Sequence, residues 1–533
     1  MYIVSVIPLV PGISKDSLTY SSEQSFALGS VVAAPFRNKT IDCVVIEQRS
    51  VREAKADLRT ASFSVKKISQ KVQSRNLISR HYIDALIECA HYYGITYSEC
   101  FNLLLPKSLF SSEFSVNQPD LTSQNTKNIE YKEILQSDTP EYYSKEQKNG
   151  LRIIVVPTKE RANFLKNSLS DLTPIVLHSG ISVLKQTKIL SSISQNGLYI
   201  CTPQFVAFFH SADRIYLDNF SSSHYTTKTA PHINTINVLK AYSIKVSSSV
   251  VAVDSLVLES IDKTTLSSFL ALDMTDSVNG SKYIWQSARL QKLLEHNKKN
   301  NKNTLLYVHR KGLSSYLSCN DCKTVAECEC GAALVLFESK DGSRKLVCSV
   351  CKKTNVLDKE RAISCGMCGS WKIQGYGIST EGVTNNLKKE GYPTFLIDTE
   401  HTKTPLSVKN TYQEFTTTPG GVLVATELCL DHVTDQIDSV CIVSIDSLLL
   451  IPEYDTDMRI LRRVRSLSSY SKTGIFVQTR LPKNPIWRVT DPEKYDTWKK
   501  DYLEQTKKYD LPPNGIKLKI AKNGYFTDEA KKI

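Results

Sequence analysis

No Gly-Lys-Thr or Gly-Lys-Ser tripeptide occurs anywhere in these 533 residues. A phosphate-binding loop needs flexible glycines, a lysine and a hydroxyl residue, because backbone N–H groups cradle the phosphates while the hydroxyl holds Mg²⁺. Its absence argues against nucleotide hydrolysis of that kind. Nor is there an unbroken apolar run of the ~18 residues that a membrane-crossing helix requires. The opening stretch, Met1 to Lys15, has no basic segment followed by a long apolar one. Neither a secretory leader nor a membrane contact is therefore expected. No internal repeat is visible. A cytoplasmic protein with reduced thiols is the expectation.

What is present begins with charge. Lys and Arg outnumber Asp and Glu by 67 to 54, a net +13, which suits a polyanionic partner without requiring one. The length suits three or four domains of roughly 150 residues each. Eight of the 14 cysteines fall in four close pairs: Cys319 and Cys322, Cys328 and Cys330, Cys348 and Cys351, Cys365 and Cys368. Such pairs sit on tight knuckles that aim two sulfurs at one point, so eight thiolates make two tetrahedral zinc sites. A disulfide scaffold would be short and cysteine-dense throughout. Here the other six, Cys43, Cys89, Cys100, Cys201, Cys429 and Cys441, are scattered in apolar contexts and read as core residues.

Along the chain, Gly29–Phe36 and Ile41–Ile46 read as strands around a polar turn beginning at Arg37, and His81–Tyr93 as a helix. Residues 111–150 are polar and lack periodicity, the mark of a linker. From Leu151 short apolar strands alternate with helical runs: 151–156, 174–178, 198–202, 213–218 and 248–254. A second block follows at 304–308, 394–397, 421–425, 439–444 and 474–477, with the cysteine pairs inserted in it. This alternation predicts two parallel sheets covered on both faces, a tandem RecA-type core. A helix over 495–509 and a strand over 516–520 end the chain.

With the cysteine block and both lobes in view, the chain resembles the PriA family of primosomal replication-restart proteins. The resemblance runs through His309-Arg-Lys-Gly312, Ala326-Glu-Cys328, Gly375 to Glu381, Ile397-Asp-Thr399, Ser444 to Leu449 with Pro452, and Tyr502-Leu-Glu-Gln with Leu511-Pro-Pro513. In the N-terminal part it rests on Leu18-Thr-Tyr20, Gly29, Pro35-Phe36, Tyr92-Tyr93 and Leu105-Pro106. It implies an α/β multidomain fold. A β-rich 3′-end DNA-binding domain covers 1–108 and a polar linker 109–150. Degenerate RecA-like lobes cover 151–275 and then 276–316 with 372–482. A double zinc-binding insertion covers 317–371 and a short C-terminal α+β domain 483–533. It also implies nested ligand sets, Cys319, Cys322, Cys365 and Cys368 for one zinc, and Cys328, Cys330, Cys348 and Cys351 for the other. The family has two residues between the second pair where this chain has only Glu329.

Set against that family, the motor is degraded. The loop position reads Leu135 to Ser144, without glycine. Asp218 is followed by Asn219-Phe220-Ser221 in place of two glutamates and a histidine, and without the loop it reads as a turn or capping aspartate rather than a Mg²⁺ ligand. The glycines and register of the family's coupling motif are missing around Arg459–Ser469, where arginines survive. Phosphoryl transfer depends on all these parts together, so no catalytic or nucleotide-binding residue is assigned and ATP is doubtful as a ligand. DNA-binding candidates are Leu18, Thr19 and Lys66 for the 3′ end, and Arg459, Arg462 and Arg463 at i, i+3, i+4 spacing for phosphates, with Lys298, Lys299 and Lys302 as a further basic cluster. The leading expectation is a replication-restart protein that binds forked and single-stranded DNA and promotes primosome assembly without helicase activity. Its implied partners are other primosome proteins, the replicative helicase and its loader, and the single-stranded DNA-binding protein, in a nucleoid-associated setting. The alternatives are an ATP-dependent helicase with an unrecognised nucleotide site, and a zinc-ribbon nucleic-acid scaffold outside restart.

Overall fold

The computed structural model describes the chain except residues 11–12, 14–15, 55–64, 69–74, 107–115, 117–128, 147–148, 247, 259–268, 275–282, 310–315, 323, 339–343, 349–350, 352, 358–363, 377, 399–400, 403, 434–435, 452, 490–491, 512–517, 523–524 and 530–533. Arg310 to Gly312, Thr399, Pro452, Pro512 and Pro513, quoted above, lie outside the described residues, as does most of 109–128. The chain divides into two compact units, 1–134 with 138–260, and 135–137 with 261–533.

The first unit opens with β1 (Tyr2–Pro8), β2 (Leu18–Ser22), β3 (Ser30–Phe36), β4 (Lys39–Ser50), β5 (Lys66–Lys67) and β6 (Arg75–Asn76), in the order β5-β2-β1-β4-β3-β6. Successive side chains point to opposite faces. Val32, Cys43 and Val45 therefore fill one core, while Val31 and Val44 fill another that they share with the helix Arg80–Tyr93. That helix buries Tyr82, Ile83, Leu86, Cys89 and Ala90 and ends at Gly94, whose φ of 62° suits glycine. Its buried face meets the helix Thr235–Val246, with Tyr82 and Tyr242 edge to face at 5.5 Å. The N-terminal domain thus shares a continuous core with the lobe that follows it.

β3 and β4 form a hairpin whose turn holds Arg37 at φ 52°. Left-handed backbone costs a non-glycine residue about 1–2 kcal/mol. The Arg37 guanidinium lies 5.4 Å from the Phe36 ring centre, which at an exposed site returns about 0.5–1 kcal/mol. The first term is larger. Arg37→Gly is expected to stabilise this domain by roughly 0.5–1 kcal/mol in urea unfolding, and a loss of stability would contradict that balance.

Next come β7 (Glu130–Glu133), β8 (Leu151–Val155), β9 (Ile175–Leu177), β10 (Gly197–Cys201), β11 (Arg214–Asp218) and β12 (Ser249–Asp254). All are parallel, ordered β7-β12-β11-β8-β10-β9. The apolar strands β8, β10 and β11 lie centrally and are almost wholly buried, as helices on both faces require. The sequence reading placed 130–133 and 139–145 in a linker. They form an edge strand and the helix Thr139–Lys145, whose Tyr143 is buried.

The second unit repeats the plan. β13 (Phe269–Asp273) and β14 (Thr304–Val308) precede the cysteine-bearing insertion. The insertion consists of β15 (Tyr316–Cys319) paired with β19 (Ile373–Tyr376), and a three-stranded sheet of β16 (Leu334–Glu338), β17 (Arg344–Cys348) and β18 (Thr354–Leu357). The lobe resumes with β20 (Thr394–Ile397), β21 (Val422–Ala425), β22 (Ser439–Ser444) and β23 (Ile475–Thr479), in the order β13-β23-β22-β14-β21-β20. With the strands of each lobe numbered 1 to 6 along the chain, both sheets read 1-6-5-2-4-3. The repeat is topological, and the sequence does not display it. The insertion lies in the crossover from strand 2 to strand 3, which in the first lobe is the helix Lys159–Ser168. β13 pairs with β23, so 269–273 belongs to the second sheet rather than to the first lobe, where the sequence division put it. A helix, Pro492–Lys508, and the hairpin of β24 (Leu518–Lys522) with β25 (Tyr525–Glu529) follow. No helix among the described residues is long and apolar enough to cross a membrane.

Candidate metal centres and nucleic-acid surface

The four cysteine pairs converge in two groups. Cys319, Cys322, Cys365 and Cys368 form one, and Cys328, Cys330, Cys348 and Cys351 the other, with the sulfurs of each group all within 4.8 Å of one another. Cys319 to Cys368 and Cys322 to Cys365 span 3.6 Å. Cys328 to Cys351 spans 3.7 Å and Cys330 to Cys348 spans 3.4 Å. A tetrahedron with zinc–sulfur bonds of ~2.3 Å has edges of ~3.8 Å, so both groups fit one thiolate-bound ion each. All eight cysteines are free thiols in the structure. Hydrogen bonding with Thr324 brings the Cys322 thiol down to about 6, while hydrogen bonds with its partner thiols and burial push that of Cys368 up to about 12, so the four thiols titrate as one group.

The single-residue spacing of Cys328 and Cys330 is accommodated by the backbone. Gly331, at φ 80°, donates its N–H to the Cys328 carbonyl at 2.9 Å, and Cys328 N–H reaches the Ala332 carbonyl at 2.8 Å. Glycine is what lets the chain reverse directly after the second sulfur. The six scattered cysteines are all buried. Burial pushes the Cys43 thiol up to about 12 and raises those of Cys201 and Cys441 further, so they stay protonated and inert.

In the N-terminal domain Leu18 and Thr19 lie on β2, and β5 places Lys66 opposite Tyr20 on the same strand. The three candidates share one edge of the sheet, with Lys66 exposed. The Tyr20 hydroxyl donates to the Pro35 carbonyl at 3.0 Å, tying β2 to the approach of the Arg37 turn.

The basic helix Thr456–Ser468 carries its arginines differently from the expected open stripe. Arg459 is clamped by Glu453 and by Asp455, the latter at 2.7 Å. Arg463 pairs with Glu427 and stacks 5.6 Å over the Tyr307 ring. Arg462 lies close enough to Tyr454 and Tyr502 for its charge to act on both hydroxyls. Lys298 donates to the Gly391 carbonyl at 2.8 Å and lies 4.6 Å over Tyr392.

Sequence reasoning missed the partner of Asp218. This residue ends β11 at the carboxyl edge of a parallel sheet, where ligands of such sheets bind. It is wholly buried, and so is the Arg161 guanidinium that meets it, at 0% and 3% exposure. Arg161 Nε donates to Oδ2 at 2.9 Å and Nη2 to Oδ1 at 3.1 Å. The same Nη2 donates to the Thr139 hydroxyl at 2.6 Å, and the Tyr143 hydroxyl donates to Asp218 Oδ1 at 2.9 Å. Burial and the Asp218 charge hold the Tyr143 phenol well above its usual range, so it remains a donor. Tyr225 adds hydrogen bonds of 2.8 Å to the Asp218 and Val155 carbonyls. A Mg²⁺–nucleotide pair does not fit these residues. Both carboxylate oxygens are taken by a guanidinium, and residues 134–138, between β7 and the helix Thr139–Lys145, contain neither glycine nor lysine.

Residues 5–106 match the family model of the PriA 3′ DNA-binding domain. The chain is similar to PriA proteins over part of its length. It is 26% identical over 261 residues to the replication restart protein PriA of Thermotoga maritima, covering 47% of this chain and 34% of that one. For the PriA of Synechocystis the figures are 25% over 247 residues, 44% and 29%. For that of Bacillus subtilis they are 20% over 251 residues, 45% and 30%. The matched part spans about a third of the length of these PriA relatives. Among solved structures, the DUF1998 helicase MrfA bound to DNA is 10% identical with a TM-score of 0.39, covering 76% of this chain and 55% of that one. A DEAD box protein from Methanococcus jannaschii is 10% identical with a TM-score of 0.31, covering 72% and 87%.

Proposed function

We propose that this chain is a replication-restart protein that grips forked DNA at a free 3′ end and serves as an assembly platform without hydrolysing nucleotide. The match of residues 5–106 to a 3′ DNA-binding domain carries the DNA half of this reading. The net charge of +13 is in keeping with it. Leu18, Thr19 and Lys66 are its contact residues, with Lys66 meeting a phosphate and the strand edge positioning the terminal nucleotide. Two zinc ions, one in each four-cysteine group, brace the insertion as a docking element. Other primosome proteins, the replicative helicase with its loader, and the single-stranded DNA-binding protein are the partners this role calls for.

The non-hydrolysing half is supported by what surrounds Asp218. Phosphoryl transfer needs a metal, a phosphate cradle and a positioned water together, and a buried arginine stands on the carboxylate that ends β11. The experiment is binding of the zinc-loaded chain to a fluorescent fork with a free 3′ end, beside DNA-stimulated ATP hydrolysis. Tight fork binding without hydrolysis is the expected result. Hydrolysis abolished by a substitution within this chain would overturn the second half, and no preference for the fork over blunt duplex would overturn the first. Lys66→Ala should weaken fork binding several-fold and lower the slope of log affinity against log salt by about 1, as loss of one phosphate contact does. An unchanged slope would remove Lys66 from the contact set.

A further inference from the structure

We propose that Arg161 is the resident cation of the first lobe, its guanidinium standing where a divalent metal would be held between Asp218 and the hydroxyl of Thr139. This deepens the non-hydrolysing half of the function above and rests on it.

Three observations carry the inference. The place is one that metals take in nucleotide-binding sheets, between an acidic residue at a strand end and a hydroxyl at the start of the helix after another strand. Here β11 supplies Asp218 and the helix after β7 supplies Thr139, with β12 between the two strands. The guanidinium contacts both groups at once, through 2.9 Å and 3.1 Å bonds to the carboxylate and a 2.6 Å bond to the hydroxyl. The setting is closed, because the Phe164 ring lies 5.0 Å from the guanidinium carbon and the Tyr143 hydroxyl fills a further acceptor position on Asp218. A planar fork with fixed donors matches a carboxylate in two places, as lysine or a hydrated ion would not. The lobe therefore keeps one conformation whatever the nucleotide supply. A metal-dependent lobe would gain rigidity only with its ligand.

The test is thermal melting of the full zinc-loaded chain, unaltered and as Arg161→Ala, Arg161→Lys, Asp218→Asn and Arg161→Ala with Asp218→Ala. Each is melted alone, with Mg²⁺ and a non-hydrolysable ATP analogue, and with low-millimolar guanidinium against an equal concentration of urea. The unaltered chain should melt at one temperature with and without Mg²⁺ and the analogue. Arg161→Ala leaves a buried carboxylate without its counter-charge and should lower the first transition by roughly 5–10 °C. Guanidinium should restore most of that loss where urea does not, and the double variant, lacking the carboxylate, should not respond to guanidinium. If Arg161→Ala does not accumulate as folded protein, Arg161→Lys decides. It keeps the charge but loses the two-pronged contact, so its transition should fall by a smaller amount. The proposal is overturned if Arg161→Ala or Arg161→Lys melts with the unaltered chain. It is overturned equally if Mg²⁺ with the analogue raises the unaltered transition and Asp218→Asn removes the rise. No DNA is present in this experiment, so its failure and a failure of fork binding are told apart.

Discussion

Metal analysis of the purified chain is expected to give two zinc ions, and Cys365→Ser to give one. The reason lies in how little else holds the insertion together. Between Leu317 and Trp371 the described buried apolar side chains are Leu317, Ala332, Ala333 and Leu346, joined by Cys319, Cys348 and Cys365 themselves. One sheet there has two strands and the other three. Pieces of this size do not bury enough apolar surface to offset chain entropy and depend on a staple. Structural zinc supplies about 10–16 kcal/mol of apparent folding free energy in comparable small sites. Stripping the metal with a strong chelator should therefore unfold the insertion and leave the lobes standing, because β14 and β20 are held in their own six-stranded sheet. Limited trypsin digestion would show it as new cleavage confined to 317–371. Because the groups are separate, Cys348→Ser should remove the second ion and keep the first. Loss of both ions from either single substitution would mean that the two sites fold as one.

The cysteine pairs were legible because ligand chemistry fixes their offsets in the chain itself. The central strands were legible for a related reason. Leu151–Val155 and Ser439–Ser444 are almost wholly buried and read as largely apolar runs, interrupted only by Arg152 in the first and bounded by serines in the second. Edge strands escape that signal. Glu130–Glu133 is half exposed and carries three charges in four residues, and Phe269–Asp273 leaves Leu270 at the surface. Their strandhood is set by β12 and β23, which lie more than a hundred residues downstream. Charges were the least legible feature. The spacing of Arg459 and Arg463 on one helix face suggested an open phosphate stripe, yet Glu453, Asp455 and Glu427 engage both. Arg161 sits in an unremarkable helical run, and the carboxylate that gives it a role is 57 positions away. Sequence spacing says which face a cation occupies and nothing of which acid the fold delivers to it.

Gly29→Ala is expected to destabilise the N-terminal domain by about 3 kcal/mol or more and to abolish fork binding with it. Gly29 stood out in the sequence only through the family resemblance, and the structure supplies a physical cause. Its φ is 84°, where a side chain costs about 1–2 kcal/mol by itself. An added methyl would also lie 1.9 Å from the Ile78 carbonyl oxygen, a backbone atom with no rotamer to turn away. That carbonyl cannot simply retreat. Ile78 N–H donates to the Gly29 carbonyl at 3.2 Å, and Gly29 N–H donates to Val45 at 2.8 Å, so the glycine is fastened on both sides. Beyond Ile78, Ser79 immediately precedes the helix Arg80–Tyr93 and donates its N–H to the Ala207 carbonyl at 2.9 Å. A shift at 78 is thus carried into the core that the N-terminal sheet shares with the first lobe. Overpacking of this sort adds about 1–3 kcal/mol to the backbone term. Urea unfolding followed by fork titration would check both parts, with Gly94→Ala as the control. Gly94 has a similar φ of 62° but nothing within 4 Å of the added carbon, so it should lose only the backbone term. Equal losses at the two positions would show that the Ile78 contact contributes nothing. A Gly29→Ala chain that unfolds early but binds the fork normally when folded would place the DNA contacts away from this sheet.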